Sequence, residues 1–335
     1  MIPPPTDQMP TLSALLDTQL PHVLADCRRH TGPILATTRV TGGNVSHVFR
    51  VSGEGGSVIV KIRGSRFARI PTLRTDPALI ADERRALELY GAAVPHVFPQ
   101  VLSFHPSAHA MILSDVFPDR RNYHDHLNER PATIAEMTRL GGAVRCIHQA
   151  TRDARPPHRS TSNEQFPPYA VDFCLRSQRH AALDAACEEM AAQPDRQLVL
   201  GDLSPKNLSL AAGGVALCDL DNVHRGWPLY DVGFFLAHLL IHHLERPHHL
   251  HVLVPALFKG YLGDQPLQPS QERLMATVTA GVIVYRLADS PVPYPLVQPP
   301  AVVERYREHV QCLLDSGPLT VRDLVRTTGA GEAAA

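Results

Sequence analysis

LVLGDLSPKNLSLAAGGVALCDLD, residues 198–221, gathers three carboxylates, a carboxamide and a lysine into two dozen positions. An apolar run at 198–200 ends at Gly201, which predicts a short strand breaking into a loop. Asp202 opens that loop, and Pro205 within it excludes a continuing helix or a central strand. From Asn207 the pattern turns strand-like, Gly213 and Gly214 predict a tight turn, and residues 215–218 read as the returning strand of a hairpin. A two-residue turn pairs Leu208 with Asp219 and Leu210 with Leu217; a three-residue loop pairs Asn207 with Asp219. Both registers leave Asn207 and Asp219 within about one residue of facing each other, where opposite Cα atoms are roughly 5 Å apart. Two oxygen ligands at that spacing suit a hard cation such as Mg2+. Asp202, outside the hairpin, is left for an incoming hydroxyl. Asp221 shares a face with Asp219 on an extended strand and is a candidate for a second metal.

The chain has 335 residues, enough for one large domain or two ordinary ones. Its 32 Lys and Arg against 33 Asp and Glu give a net charge of -1, with no pull toward nucleic acid or an acidic membrane. The six cysteines form no C-x-x-C pair, which excludes a zinc knuckle or redox motif and fits reduced thiols in the cytoplasm. MIPPPTDQMP has neither the basic start nor the apolar core of a signal peptide. The most apolar helical segment, 232–241, is far short of the roughly 20 residues that span a bilayer. A soluble cytoplasmic protein is expected.

Outward from the central stretch, leucines at 12, 15, 16 and 20 form a helical stripe interrupted by Pro21, a helical extension over residues 1–30. Residues 37–41, 47–52 and 57–62 read as strands of an antiparallel meander. ALIADERRALELY, bounded by Pro77 and Gly91, reads as a helix around Glu83. Strands at 101–104 and 110–116 complete a small sheet, so that residues 31–116 form one lobe. Residues 117–328 form a second, mainly helical lobe. Its helices are expected at 134–147, 173–192, onward from Pro228, 271–288 and 300–315, with a loop over 152–165 and a disordered tail over 329–335.

Strand, glycine turn, strand and then a strand lysine is a layout that covers a nucleotide's phosphates. Gly42 and Gly43 allow close backbone approach, and Ser46 with successive N–H groups faces anionic oxygens. Lys61 sits within the apolar run VIVKIRG, where an amine needs a reason; a helix carboxylate at Glu83 would hold it toward a phosphate. Asp202, Asn207 five residues later and then Asp219 is the order phosphoryl transfer needs: a residue for the hydroxyl, then two for the metal. Asp231 either caps the helix entered at Pro228 or braces the loop from below. His238 and His242 have the spacing of a zinc pair, but no H-E-x-x-H carboxylate or nearby cysteine accompanies them, so partly buried helix histidines are expected.

These segments resemble the aminoglycoside phosphotransferase and choline kinase family of small-molecule kinases, over about residues 36–290. GGNVSHVFRV is similar to the family's phosphate loop, VIVKI to its lysine strand and ADERRALELYG to the helix with the paired glutamate. MILSDVFP resembles the hinge, LGDLSPKNL the catalytic loop, and ALCDLDNVHRGWPLYDVGFFLAHLL the metal strand and following helix. The resemblance implies an α+β, two-lobed protein-kinase-like fold with a small antiparallel-sheet N-lobe and a mainly helical C-lobe. It implies a phosphotransferase with an alcohol acceptor, moving the γ-phosphoryl of ATP or GTP with Mg2+. Asp202 would orient and deprotonate the hydroxyl, Lys206 would neutralise the transferring group, and Asn207 and Asp219 would bind metal. Lys61 would hold the phosphates, while Ser114 carbonyl and Val116 N–H would bond the base. Asp172, Arg176, Trp227 and Arg286 are candidates for the acceptor wall that the helical lobe supplies in the family.

One position departs from the pattern: Leu200 stands where the family usually has a loop-supporting His. Antibiotic acceptors of aminoglycoside or nucleoside type are favoured, with Asp115, Asp119 and Asp125 as an acidic cleft for a polycation. Methylthioribose, homoserine and choline are the metabolic alternatives. A nucleotide-binding protein without transfer activity and a metal-dependent hydrolase built on DLD are the rival classes.

Overall fold

The computed structural model describes residues 21–40, 43–117, 121–156, 171, 174–211, 214–288 and 294–329. The chain divides into two compact units, Met1–Arg84 with Pro99–Asp115 and Arg85–Phe98 with Val116–Ala335.

In the first unit, Ile34–Arg39 (β1), His47–Gly53 (β2), Gly56–Ile62 (β3), Val101–His105 (β4) and Ala110–Ser114 (β5) form an antiparallel sheet in the order β1-β2-β3-β5-β4. Alternation puts Phe49, Val51, Val58, Val60 and Ile112 into one core cluster, which Val23, Leu24 and Cys27 of helix Pro21–Thr31 (α1) complete. Pro21 is the first residue of that helix. Proline lacks only an N–H that the first turn leaves unbonded anyway. The leucine stripe at 12–20 lies outside the described residues. Asp76 accepts a hydrogen bond from the Ala78 amide at 2.9 Å and caps a 3-10 turn, Pro77–Leu79. The turn leads into helix Ile80–Ala93 (α2).

The second unit holds the helices Tyr123–Glu129 (α3), Ile134–Ala150 (α4), Ala181–Ala192 (α5), Leu229–His242 (α6), Leu250–Leu262 (α7), Pro269–Leu287 (α8), Pro300–Asp315 (α9) and Val321–Gly329 (α10). Every residue of α6 is buried, as its nearly unbroken apolar sequence requires. Helices α4 and α7 touch backbone to backbone. A Cβ at Gly141 would strike the Leu257 carbonyl, and one at Gly260 the Thr138 carbonyl. The helix expected from 173 instead starts at Ala181, because Arg179 takes a left-handed φ of 52° and His180 Nδ1 caps the Ala182 amide. Helices α3, α7 and α10 were not read from the sequence. Two short ladders join Gln197–Val199 (β6) to His224–Gly226 (β9) and Leu208–Ser209 (β7) to Ala216–Leu217 (β8). Among the described residues, no helix is long and apolar enough to cross a membrane.

Candidate active site

Strand β6 delivers the chain to Gly201, whose φ is +79° and whose missing Cβ makes room for the Asn222 carbonyl. Only glycine meets both demands. Asp202 follows, and Pro205–Asn207 then forms a single 3-10 turn with proline at its first position. Neither expected hairpin register forms. Leu208 pairs with Leu217 and Ser209 with Ala216, which buries the two leucines opposite each other and leaves residues 210–215 as a longer link. Gly213 of that link lies outside the described residues. The Cys218 amide donates to the Asn207 carbonyl at 2.9 Å, and Asp219, at φ +66°, then leaves the extended conformation. Asn207 and Asp219 thus stand one residue apart in register at the open end of the hairpin. The left-handed step at Asp219 also breaks the alternation on which a shared face for Asp221 depended. Asp221 lies in a turn and accepts the Asn222 side-chain amide at 2.9 Å.

Asn207 Nδ2 donates to the Asp202 carbonyl at 3.2 Å, so its amide oxygen is directed away from that contact. A carboxamide oxygen from Asn207 and a carboxylate from Asp219 are the hard donors that a small divalent cation accepts, with waters or phosphate oxygens filling the remaining positions. Among the described residues, no group of three or more His, Cys, Asp or Glu side chains is arranged to hold a metal by itself.

Two cations flank the Asp202 carboxylate. Lys206 Nζ lies 3.3 Å from Oδ2 and Arg286 Nη2, from α8, lies 3.7 Å from Oδ1. Burial pushes the Asp202 carboxyl up, but the charges of Lys206 and Arg286 outweigh it and hold the group below the usual carboxylate range. Asp202 is therefore ionised at neutral pH.

Asp231, in the first turn of α6, carries the loop from behind. It accepts the Leu200 amide at 2.7 Å and the Gly201 amide at 2.9 Å, and His148 Nε2 meets its Oδ2 at 2.9 Å. His148 Nδ1 in turn meets the Tyr261 hydroxyl at 2.9 Å, linking α4 and α7 to the loop. The bracing role considered for Asp231 is the one observed. His148 was missed; its signal was a polar residue beside Ile147 on the buried face of an amphipathic helix.

In the first unit, Lys61 Nζ and Glu83 Oε1 form a buried ion pair at 2.6 Å. Gly43 and Ser46 precede β2, Ser46 is buried, and its Oγ has no hydrogen-bond partner among the described residues. Gly42 lies outside them. Ser114 ends β5, its Oγ accepting the Gln100 amide at 2.9 Å. Val116 is the next residue but one, the first of the second unit after the boundary at Asp115.

The family described as the phosphotransferase enzyme family (APH) matches residues 36–264, most of the chain. The chain belongs to that family. Its fold is shared with an amicoumacin kinase, hAmiN, solved with AMP-PNP, Ca2+ and Ami, at 16% identity and a TM-score of 0.59, covering 92% of this chain and 96% of that one. It is shared equally with a choline/ethanolamine kinase family protein from Mesorhizobium loti, at 17% identity and a TM-score of 0.53 over 92% and 99% of the two chains. An aminoglycoside phosphotransferase, APH(3'')-Id from Streptomyces rimosus, solved with ADP and streptomycin, gives 18% identity and a TM-score of 0.53 over 83% and 99%. No curated protein matches by sequence. The protein is a phosphotransferase of α+β, protein-kinase-like fold.

Acceptor candidates of the phosphotransferase fare unequally. Arg286 stands beside Asp202, whereas Trp227 is buried at 1% exposure and Arg176 lies exposed in a 3-10 turn. Asp172 lies outside the described residues. Of the three acids put forward for a cleft, two have local partners. Asp115 is bound by Arg50 Nε at 2.6 Å and by the Ser57 hydroxyl at 2.7 Å, Asp125 serves the capping box of α3, and Asp119 lies outside the described residues. His238 and His242 are buried helix histidines, as expected. His238 Nδ1 bonds the Phe234 carbonyl at 2.8 Å and His242 Nε2 bonds the Tyr294 hydroxyl at 2.9 Å.

Proposed function

We propose that the phosphotransferase is a divalent-cation-dependent small-molecule kinase that moves the γ-phosphoryl of ATP or GTP to an acceptor hydroxyl. The observation that carries this reading is the Asp202 carboxylate, held ionised by Lys206 and Arg286 at 3.3 and 3.7 Å. Asp202 orients the acceptor hydroxyl and takes its proton. The hydroxyl oxygen forms the new bond to phosphorus as the bond to the β,γ-bridging oxygen breaks and the nucleoside diphosphate leaves. Lys206 faces the charge of the group in transfer, and Lys61, aligned by Glu83, faces the nucleotide's phosphates. Ser46 Oγ suits a further phosphate contact, and the backbone from Ser114 to Val116 suits the base. Mg2+ on Asn207 and Asp219, when bound, neutralises phosphate charge during transfer. The AMP-PNP and Ca2+ solved with the amicoumacin kinase, and the ADP solved with APH(3'')-Id, support a nucleotide donor and a divalent cation.

Leu200 motivated the rival reading of a nucleotide binder without transfer activity. Because Asp231 grips the Leu200 and Gly201 backbone amides, the loop does not depend on the side chain at 200, which favours catalysis. Small hydroxylated antibiotics and the metabolic alcohols choline, homoserine and methylthioribose form the acceptor panel. Six free cysteines fit action in the cytoplasm. The test is thermal shift with Mg2+ nucleotides followed by coupled turnover across that panel. Stabilisation by a nucleotide and a phosphorylated product support the reading; nucleotide binding with no product from any hydroxyl compound supports the binding protein.

A further inference from the structure

Arg286 is 7% exposed and its Nε has no hydrogen-bond partner among the described residues. Its guanidinium lies over the Phe234 and Tyr294 rings, 5.5 and 5.7 Å from their centroids. The carboxylate that acts on it is Asp202, which Lys206 also serves. Buried Arg286 and half-buried Lys206 therefore share one carboxylate. Among the described residues, the groups beside Arg286 on Tyr294 are neutral: Tyr294 OH meets His124 Nδ1 at 3.1 Å and His242 Nε2 at 2.9 Å, and burial keeps these imidazoles uncharged. A buried guanidinium whose Nε lacks a partner and whose nearest carboxylate is shared is costly unless an anion meets it.

Position supplies the second half of the argument. An acceptor hydroxyl held about 2.7–2.8 Å from an Asp202 oxygen brings the neighbouring atoms of the acceptor beside the guanidinium. A cationic substituent there meets Lys206 and Arg286; an anionic one completes the charge balance. Arg286 presents a planar fork of N–H donors that matches a carboxylate. Resting on the kinase reading above, we propose that the acceptor is a hydroxyl compound bearing an anionic group, in its simplest form a carboxylate, which Arg286 receives, and that polycationic acceptors are excluded.

The test uses the full-length protein and three alcohols of one length: 4-hydroxybutyrate, 4-hydroxybutyramide and 3-hydroxypropyltrimethylammonium, with streptomycin as a polycation. Calorimetry reads binding in the presence of Mg2+ and AMP-PNP, and product mass reads transfer from ATP. The expected result is a preference for the carboxylate over the carboxamide of roughly 10- to 100-fold, the range for a hydrogen bond to a charged group. The ammonium alcohol and streptomycin are expected to be weaker still. Arg286→Gln should erase the preference, and Arg286→Lys should keep part of it. Equal or better binding of a cationic acceptor by the unmodified protein overturns the proposal, as does absence of binding by all four. A loss in Arg286→Gln that is uniform across acceptors also overturns it and assigns the charge to the transferring phosphoryl group. Selective carboxylate binding without any phosphorylated product upholds the anion site and overturns the kinase reading instead.

Discussion

Asp231 takes the backbone N–H of Leu200 at 2.7 Å, so the position where the family usually has a supporting histidine is held through its main chain. The same carboxylate serves the Gly201 amide and His148, three donors in all on one fully buried group. Asp231→Ala leaves all three without their acceptor. The expected loss is about 3–5 kcal/mol of stability, measured by denaturant unfolding. Asp231→Asn, which keeps the shape but turns an N–H toward a donor, should lower turnover more than nucleotide affinity. Unchanged stability in both variants would contradict the bracing role.

Gly201→Ala tests the loop from the other side. At φ +79° and with the Asn222 carbonyl where a Cβ would go, alanine must move the backbone next to Asp202. Turnover is expected to fall at least tenfold, because misplacing a reacting group by about 1 Å can remove two orders of magnitude in rate. Steady-state kinetics that match the unmodified enzyme would show that the loop tolerates the shift.

The Lys61–Glu83 pair, at 2.6 Å and almost fully buried, predicts strong coupling. Lys61→Met strands the Glu83 carboxylate from its ammonium, a change that typically costs about 3–5 kcal/mol. The double variant Lys61→Met with Glu83→Gln should recover much of that stability without recovering nucleotide binding. Additive losses in a double-mutant cycle would deny the coupling.

The chemistry was legible because it is encoded in order along the chain. Asp202, Asn207, Asp219, Lys61 and Glu83 could be singled out from spacing, and the strands bearing them fall close to where alternation placed them. The hairpin register was not legible, since it depends on burying Leu208 against Leu217 and on a left-handed Asp219, neither of which a glycine turn signals. Pairings across long separations were also hidden. Arg50 with Asp115 and His148 with Asp231 lie 65 and 83 residues apart, and charge counting took Asp115 for an open acid. Arg286 was noticed only as a residue in the right lobe, while its distance to Asp202 comes from the packing of α8.

Stability should respond to pH through the buried histidines. His124, His238, His242 and His243 are all pushed below the usual imidazole value, burial first among the causes. His243 reaches about 4, with Nδ1 on the Leu239 carbonyl and Nε2 accepting the Ala132 amide. The unfolded chain then binds more protons than the folded one below pH 6.5, the unperturbed value, so stability is level above it and falls as pH drops toward 4. His243 alone accounts for ~3 kcal/mol of that loss. Chemical unfolding at a series of pH values checks it, and His243→Gln should flatten the slope.

The central claim is that Asp202 is the base for the acceptor hydroxyl, and Asp202→Ala tests it most directly, with transfer and Mg2+ nucleotide affinity measured on the same preparation. The account predicts that turnover falls by about 10² to 10⁴, the usual contribution of a positioned base, while the nucleotide binds as before. An Asp202→Ala enzyme that transfers phosphoryl at the full rate would contradict it.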